Sequence, residues 1–186
     1  MNNNKNYKNI TFTEPKLSGA EFENCTFLLC SFIDCTFSNT LLSDCTFDMC
    51  NLGMVKFADT RLHNVTFNNC KLVGANFSEC NNLLLTVRFE KSILDYAVFS
   101  KLHLKKTPFD SCSIKDADFT ETDLSETVFA DCDLTHAVFL RTVLEKADLR
   151  TAINYSIDPD MNRIKHTKFS LVGLPGLLER YDIEID

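Results

Sequence analysis

Cysteine carries the most reactive side chain in this sequence, and its spacing is regular. Cys25, Cys30 and Cys35 stand five residues apart in the segment ENCTFLLCSFIDCTF, and the chain has nine cysteines in total. Thiolates that bind zinc or exchange disulfides are commonly found in pairs separated by two residues. A spacing of five does not match that pattern. We therefore predict that the cysteines are small, readily buried core residues.

Other chemically capable residues also lack a catalytic or ligating pattern. His63, His103, His136 and His166 are far apart, with no spacing typical of metal ligands. The sequence contains no nucleophile motif, no phosphate-binding loop and no HExxH zinc motif. We predict that the protein is not an enzyme and binds no cofactor and no metal ion.

Composition and charge narrow the class of protein further. The chain of 186 residues has a net charge of −7, and it lacks the clustered Lys and Arg that phosphate contacts require. Residues 1–9 are polar, so we expect no signal peptide, and no apolar run is long enough to span a membrane. These observations predict a cytoplasmic protein with reduced thiols, without direct contact with nucleic acid or membrane.

A five-residue period runs through most of the chain. Every fifth residue from Phe12 to Phe77 is Phe or Leu, Asn82 breaks the series, and a second series runs from Leu84 to Leu149. Two positions before each large residue the side chain is usually small. A period of five fits neither a helix nor a strand. Because one unit cannot bury its own apolar side chain, many units must stack.

The units AEFEN, CTFLL, ANFSE and CDLTH resemble those of the pentapeptide-repeat family, and the resemblance covers residues 10–152. It implies an all-β fold, a right-handed quadrilateral parallel β-helix of about seven coils with four units in each coil. Residues twenty apart would then stack in columns. One such column, allowing for the two-residue shift of the second series, would contain Cys30, Cys50, Cys70, Ser92, Cys112 and Cys132.

Three regions follow from this resemblance. Residues 1–9 are predicted to be a polar lead-in, and residues 10–152 to be the β-helix with a two-residue register break near 80–83. Residues 153–186 are predicted to form an irregular last coil, a capping helix and a dimerisation tail. We interpret the break as a tolerated bulge at a corner, with Leu83 or Leu85 pointing outward. The alternatives are a contact point for a partner and a local kink in the rod.

The C-terminal segment LLERYDIEID resembles the helix and strand through which Qnr-type quinolone-resistance proteins dimerise tail to tail. Pro175 is expected to open the short helix. A cap that only covers the end of a monomeric rod is the alternative. The predicted dimer interface consists of Leu174, Leu177, Leu178, Tyr181, Ile183 and Ile185.

An acidic stretch provides a second candidate binding surface. Residues 116–140 contain no Lys or Arg, and four of the carboxylates hold the same place in successive units, so they would ring the rod. A basic partner could recognise such a ring, although it could equally be an ordinary solvated surface. The predicted acidic surface consists of Asp116, Asp118, Glu121, Asp123, Glu126, Asp131 and Asp133.

Two functions remain open from the sequence. Resemblance to the Qnr-like branch implies an acidic DNA mimic that binds DNA gyrase or topoisomerase IV and protects it from quinolones. The chain departs from that branch in having no long projecting loops, and Lys101, Lys105 and Lys106 interrupt its negative charge. The alternative is a non-enzymatic scaffold or interaction rod with another partner.

Overall fold

The computed structural model describes residues 2–13 and 17–184, and most of the chain consists of short parallel strands and tight turns. The strands are β1 (Asn2–Asn3), β2 (Asn6–Lys8), β3 (Glu21–Glu23), β4 (Thr26–Leu28), β5 (Thr36–Ser38), β6 (Leu41–Ser43), β7 (Thr46–Asp48), β8 (Lys56–Ala58), β9 (Arg61–His63), β10 (Val65–Asn68), β11 (Val87–Glu90), β12 (Pro108–Asp110) and β13 (Val128–Ala130). Two 3₁₀ helices, Leu174–Leu177 and Glu179–Tyr181, follow near the C-terminus.

The strands stack in a parallel β-solenoid, which confirms the predicted all-β fold. Strand β4 pairs with β7 so that Phe27 lies beside Phe47, one coil of twenty residues further on. In the described residues the largest sheet runs β13-β12-β11-β10-β7-β4-β2, and a second sheet runs β1-β3-β6-β9. Strands β5 and β8 and a series of isolated parallel bridges form the two remaining sides of the rod.

The first coil of the solenoid begins earlier than predicted. Strand β1 pairs with β3, and β2 pairs with β4 with Tyr7 opposite Phe27. The Tyr7 ring stacks on that of Phe27 with 5.0 Å between centroids. Residues 2–9 are therefore part of the rod, and the prediction of a separate lead-in over residues 1–9 was wrong. The reason is that Tyr replaces Phe or Leu at the large inward position, which hides the period.

Stacked aromatic rings fill the interior. Phe47 and Phe67 lie in one ladder with centroids 5.1 Å apart, and Phe57 and Phe77 lie in another at 4.7 Å. All four side chains are fully buried. Ring stacking adds about 0.5–1.5 kcal/mol per pair to the free energy gained by burial. Each coil therefore depends on its neighbours, and along the described coils these side chains fill the interior.

The small inward positions also form contacts between coils. The Thr40 hydroxyl donates to the Leu17 carbonyl at 2.7 Å, and the Cys50 thiol donates to the Phe27 carbonyl at 3.2 Å. All nine cysteines are buried and none forms a disulfide, which confirms their prediction as core residues. Burial raises the pKa of the Cys45 thiol to about 11. A small side chain with a weak donor fits this position because it satisfies a carbonyl of the preceding coil.

The chain turns at every fifth residue through a left-handed backbone conformation. Asn24, Asp44 and Asn64 have φ values of 52°, 52° and 53°. The amide of Asn24 donates to the Ser43 carbonyl in the next coil at 2.9 Å. Asn and Asp tolerate positive φ better than other side chains. These corners give the rod its four sides.

The stacking shifts by two residues near residues 80–86, and the inward residue there was predicted incorrectly. Val65 pairs with Val87, a separation of 22 residues, whereas neighbouring coils repeat after 20. Leu84 is 70% exposed and Leu85 is buried. Leu84 occupies the left-handed corner, with φ of 61°, so the following residue turns into the core. Leu83 points outward, being 72% exposed.

The C-terminal region has a last coil and two short 3₁₀ helices, but it lacks the expected strand in residues 182–184. Ile164 and Phe169, which continue the five-residue period, pack against the core. Pro175 lies in the first turn of the first 3₁₀ helix, as expected. Residues 182–184 form no strand, because the second helix ends in a left-handed turn at Asp182; Ile185 lies outside the described residues. Of the helices described, none is long and apolar enough to cross a membrane.

Two glycines allow this C-terminal segment to lie close to the last coil. A Cβ at Gly173 would overlap the hydroxyl of Tyr155, and a Cβ at Gly176 would overlap its backbone carbonyl. The Gly176 carbonyl accepts a hydrogen bond from the Ile157 amide at 2.8 Å. The 3₁₀ helices are therefore held against the end of the core by direct backbone contact.

Thiol reactivity provides a test of the stacked core. We expect none of the nine cysteines to react rapidly with Ellman's reagent at neutral pH in the folded protein, and all nine to react in guanidinium chloride. The reason is that all nine thiols are buried, so the reagent cannot reach them in the folded protein. Rapid modification of several cysteines without denaturant would contradict the closed core.

Candidate partner-binding surfaces

Because the interior is filled, binding must occur on the outside of the rod. Two surfaces were predicted from the sequence. The acidic coil is defined here as residues 116–133, and the C-terminal tail as residues 171–184. Both lie in the part of the chain that the structure describes.

Four carboxylates of the acidic coil lie at successive corners of the rod. Asp116, Glu121, Glu126 and Asp131 have φ values of 54°, 59°, 60° and 51°. The structure thus places them around the circumference, as the shared position in four units predicts. They do not come together on one side. A partner approaching from one direction would contact only some of them.

The other three acidic side chains are divided among three sides. Asp118 lies between Val98 and Val138 in the stack, as the bridges between coils show. The bridges also place Asp123 directly beside His103 of the preceding coil, and Asp133 beside Ser113. The acidic coil is therefore a band around the rod and not a continuous stripe along it.

Cationic side chains from neighbouring coils neutralise part of this band. The Arg141 guanidinium contacts Glu121 at 2.6 Å, and Glu126 is shared by two lysines at 3.2 and 3.5 Å. Lys115 lies 3.0 Å from Asp133, and His136, which is a cation only when protonated, lies 3.6 Å from Asp116. Although residues 116–140 contain no Lys or Arg, the coils above and below provide them. The lysines that share Glu126 are Lys105 and Lys106.

Asp118, Asp123 and Asp131 form no ion pair with any described residue. Asp118 accepts a hydrogen bond from the Thr120 amide at 2.8 Å, and Asp123 accepts one from the Ser125 amide at 2.9 Å. These local bonds leave their negative charges uncompensated. The three carboxylates are therefore the members of the predicted acidic surface most available to a basic partner.

Asp133 is the most strongly stabilised anion of the coil. Partial burial raises the pKa of its carboxyl, but hydrogen bonds from Thr135, Asn154 and Lys115 outweigh burial and lower the pKa to about 2. It is therefore ionised at every physiological pH. With Lys115 beside it, this charge serves the contact between coils more than it attracts a partner.

The predicted tail residues divide into an anchored and an exposed set. Leu177 packs against the core and Leu178 is half-buried. Leu174, Tyr181 and Ile183 are 40%, 50% and 55% exposed. Leu174, Leu177, Leu178 and Tyr181 are spaced in the sequence as on one face of an α-helix, but the segment forms two 3₁₀ helices. A 3₁₀ helix has three residues per turn, so residues three apart lie on the same face but residues four apart do not.

The most exposed apolar residues of the tail were missed. Leu171 and Val172 are 86% and 91% exposed. The available signal was their position, because two adjacent apolar residues follow Phe169, the last large residue of the period. With Leu174, Tyr181 and Ile183 they give the end of the rod five exposed apolar side chains. Large exposed apolar surfaces commonly mark sites of protein association.

An ionic contact anchors the tail to the last coil. Arg180 contacts Asp158 at 2.6 Å and Asp160 at 3.1 Å. Its guanidinium also lies 5.4 Å from the centroid of the Tyr181 ring. The hydrogen bond from Arg180 lowers the pKa of the Asp158 carboxyl. The orientation of the exposed apolar side chains therefore depends on this cluster.

Comparison with known proteins agrees with the repeat structure. The family model described as "Pentapeptide repeat region" matches residues 20–99 and 41–119, and the model "Pentapeptide repeats (8 copies)" matches residues 112–150. No curated protein sequence matches the chain.

Solved structures resemble this one over nearly their whole length. A structure of QnrB1, described as a plasmid-mediated fluoroquinolone resistance protein, matches with a TM-score of 0.75 and 19% identity, covering 97% of this chain and 98% of that one. Full-length QnrB1 matches with a TM-score of 0.68 and 19% identity, over 97% and 99%. HetL from the cyanobacterium Nostoc, described as involved in heterocyst differentiation regulation, matches at 0.51 and 16%, over 91% and 87%. At these identities the likeness establishes the fold.

Removing the tail's ionic anchor tests its role. We expect Arg180→Gln to accelerate hydrogen exchange in residues 171–184 by about two- to fivefold, because exposed ion pairs contribute modestly. Since the pKa of Asp158 is lowered in the folded state, its contribution is present above about pH 4 and lost as the pH falls below that value. Arg88→Gln, which removes a cation far from the tail, is the control. Equal exchange in both variants would contradict the anchor.

Proposed function

The chain belongs to the pentapeptide-repeat family, and from this premise we propose that it is a non-enzymatic protein that binds a type II topoisomerase, DNA gyrase or topoisomerase IV. The observation that carries the proposal is the end-to-end correspondence with QnrB1, which covers 97% of this chain and 98% of the other. A protein of that name is described as conferring fluoroquinolone resistance. The same role for this chain would be protection of the topoisomerase from the drug.

Dimerisation through the C-terminal tail is part of this proposal. The exposed side chains of Leu171, Val172 and Leu174 give the end of the rod an apolar surface, and burying such a surface against a second copy is favourable. Arg180 holds the tail against the last coil, which would reduce the entropic cost of association. Two rods joined in this way would present one long outer surface.

Charge complementarity would guide the rod to its partner. With a net charge of −7, the protein is repelled by DNA and attracted to a basic DNA-binding surface, as a DNA mimic would be. The ion pairs described above restrict this mimicry. We propose that Asp118, Asp123 and Asp131 carry the charge that the partner recognises, while the paired carboxylates mainly join neighbouring coils.

A scaffold for another protein is the second candidate. It is favoured by the alternation of charge along the corners, where Lys101, Glu121 and Arg141 follow one another at intervals of twenty residues. A DNA mimic would present one sign of charge along its length, whereas an alternating surface suits a partner with a mixed surface. The two candidates differ in whether a topoisomerase binds.

The dimer proposal predicts a change in mass. We expect the wild-type protein to sediment as a dimer and the double variant Leu174→Asp, Ile183→Asp to sediment as a folded monomer. Both side chains are exposed, so the aspartates are harmless in the monomer but would be buried without partners in a dimer. Leu83→Asp, at an exposed leucine outside the tail, is the matched control. A dimeric double variant would place the interface elsewhere.

The topoisomerase proposal predicts rescue of DNA supercoiling. We expect the purified protein to restore supercoiling by gyrase in the presence of a fluoroquinolone, with an effect that weakens as the salt concentration rises. The triple variant Asp118→Asn, Asp123→Asn, Asp131→Asn should require about tenfold more protein for the same rescue.

The matched control removes three charges from other coils through Asp34→Asn, Asp44→Asn and Asp59→Asn. These residues occupy left-handed corners, which Asn also tolerates. Equal loss in both triple variants would mean that net charge alone matters and that the acidic coil is not the contact. No rescue by the wild-type protein with either topoisomerase would reject this function and favour the scaffold.

A further inference from the structure

The register break interrupts a column of corner side chains. Below it, the side-chain amide of Asn64 donates to the Asp44 carboxylate at 2.6 Å, directly along the rod. Above it, Lys106 contacts Glu126 at 3.5 Å. Thr86 lies between these two sets and is not in the left-handed conformation of the other corners. Its hydroxyl instead accepts a hydrogen bond from the backbone amide of Asn64 at 2.7 Å.

An open cleft of about 340 Å³ results at this corner. Val65, Leu85 and Val87 line its inner part, and all three side chains are buried. The volume falls within the range of small-molecule sites, which begins at about 300 Å³. The cleft exists because the two inserted residues carry the chain inward at Leu85, where an ordinary coil would have an outward residue.

Cationic side chains line the rim of the cleft. Arg88, Lys105 and Lys106 border it, together with the side chains of Asn64 and Thr86, and no carboxylate is among its described lining residues. This composition is unusual on a protein with a net charge of −7. An apolar floor beneath a cationic rim fits a ligand that has both an anionic group and an apolar part.

The positive charge of the rim is only partly compensated. Lys105 and Lys106 share one carboxylate, Glu126, which lies in the next coil. Arg88 contacts Glu90 at a longer 3.6 Å. The two lysine side chains are 52% and 67% exposed, so they can turn toward a ligand at small energetic cost. An oxyanion in the cleft would therefore meet more than one unsatisfied donor.

We infer that the cleft at the register break binds a small organic oxyanion, with its phosphate or carboxylate group at Arg88 and Lys106 and its apolar part over Leu85 and Val87. The inference rests on the cleft and its charges and is independent of topoisomerase binding. It assigns the insertion a function as the element that opens a ligand site in an otherwise closed solenoid.

A titration of the full-length protein followed by backbone amide chemical shifts tests the inference. The probes are inorganic phosphate, phenyl phosphate and benzoate, which separate the contributions of the anionic group and of the apolar floor. We expect saturable shifts near residues 64, 86–88 and 105–107, with phenyl phosphate binding at about millimolar concentration and inorganic phosphate more weakly. Comparison of phenyl phosphate with benzoate identifies the preferred oxyanion.

Variants establish whether the binding is specific. Arg88→Gln and Lys106→Gln should each weaken phenyl phosphate binding by about tenfold. Lys146→Gln is the control, because Lys146 occupies the same corner column further along the rod and does not line the cleft. The inference is overturned by the absence of saturable shifts up to about 10 mM phenyl phosphate. It is equally overturned if Lys146→Gln weakens binding as much as the other two variants, since a general charge effect would then explain the shifts.

Discussion

The left-handed corner at every fifth residue is the constraint on which this structure depends. A side chain other than glycine costs about 1–2 kcal/mol in that conformation, so each corner must be compensated. The compensation comes from the coil above, as in the hydrogen bond of 2.9 Å from the Asn24 amide to the Ser43 carbonyl. No coil is stable alone, because its corners require a neighbour. The formation of the corners and the stacking of the coils are therefore cooperative.

The stacked coils then decide the composition of the interior. Large rings such as Phe47 and Phe67 meet face to face, while Cys50 and Thr40 fill the remaining space and satisfy backbone carbonyls. A core filled in this way has no room for a ligand. Recognition must use the outer surface, the end of the rod or a place where the stacking is disturbed. The tail and the register break provide the latter two.

Surface chemistry depends on the stacking as well. Neighbours on the surface are about one coil apart in sequence, so Glu121 meets Arg141 and Glu126 meets Lys106. The net charge around residues 116–133 is therefore less negative in the folded rod than the sequence of that segment alone indicates, because neighbouring coils bring cations beside it. Across the register break, stacked neighbours are 22 residues apart in sequence instead of 20, as the pairing of Val65 with Val87 shows.

The sequence by itself determined the solenoid, the twenty-residue coil, the buried cysteines and the place of the register break. It could do so because the five-residue period follows directly from the backbone geometry of a corner. Only the tertiary structure decided that Leu85 and not Leu84 turns inward, that residues 2–9 join the first coil, and that the tail forms 3₁₀ helices without a following strand in residues 182–184. These outcomes depend on contacts with the neighbouring coil at particular positions. A repeating pattern specifies the repeat, whereas its exceptions are fixed by the packing around them.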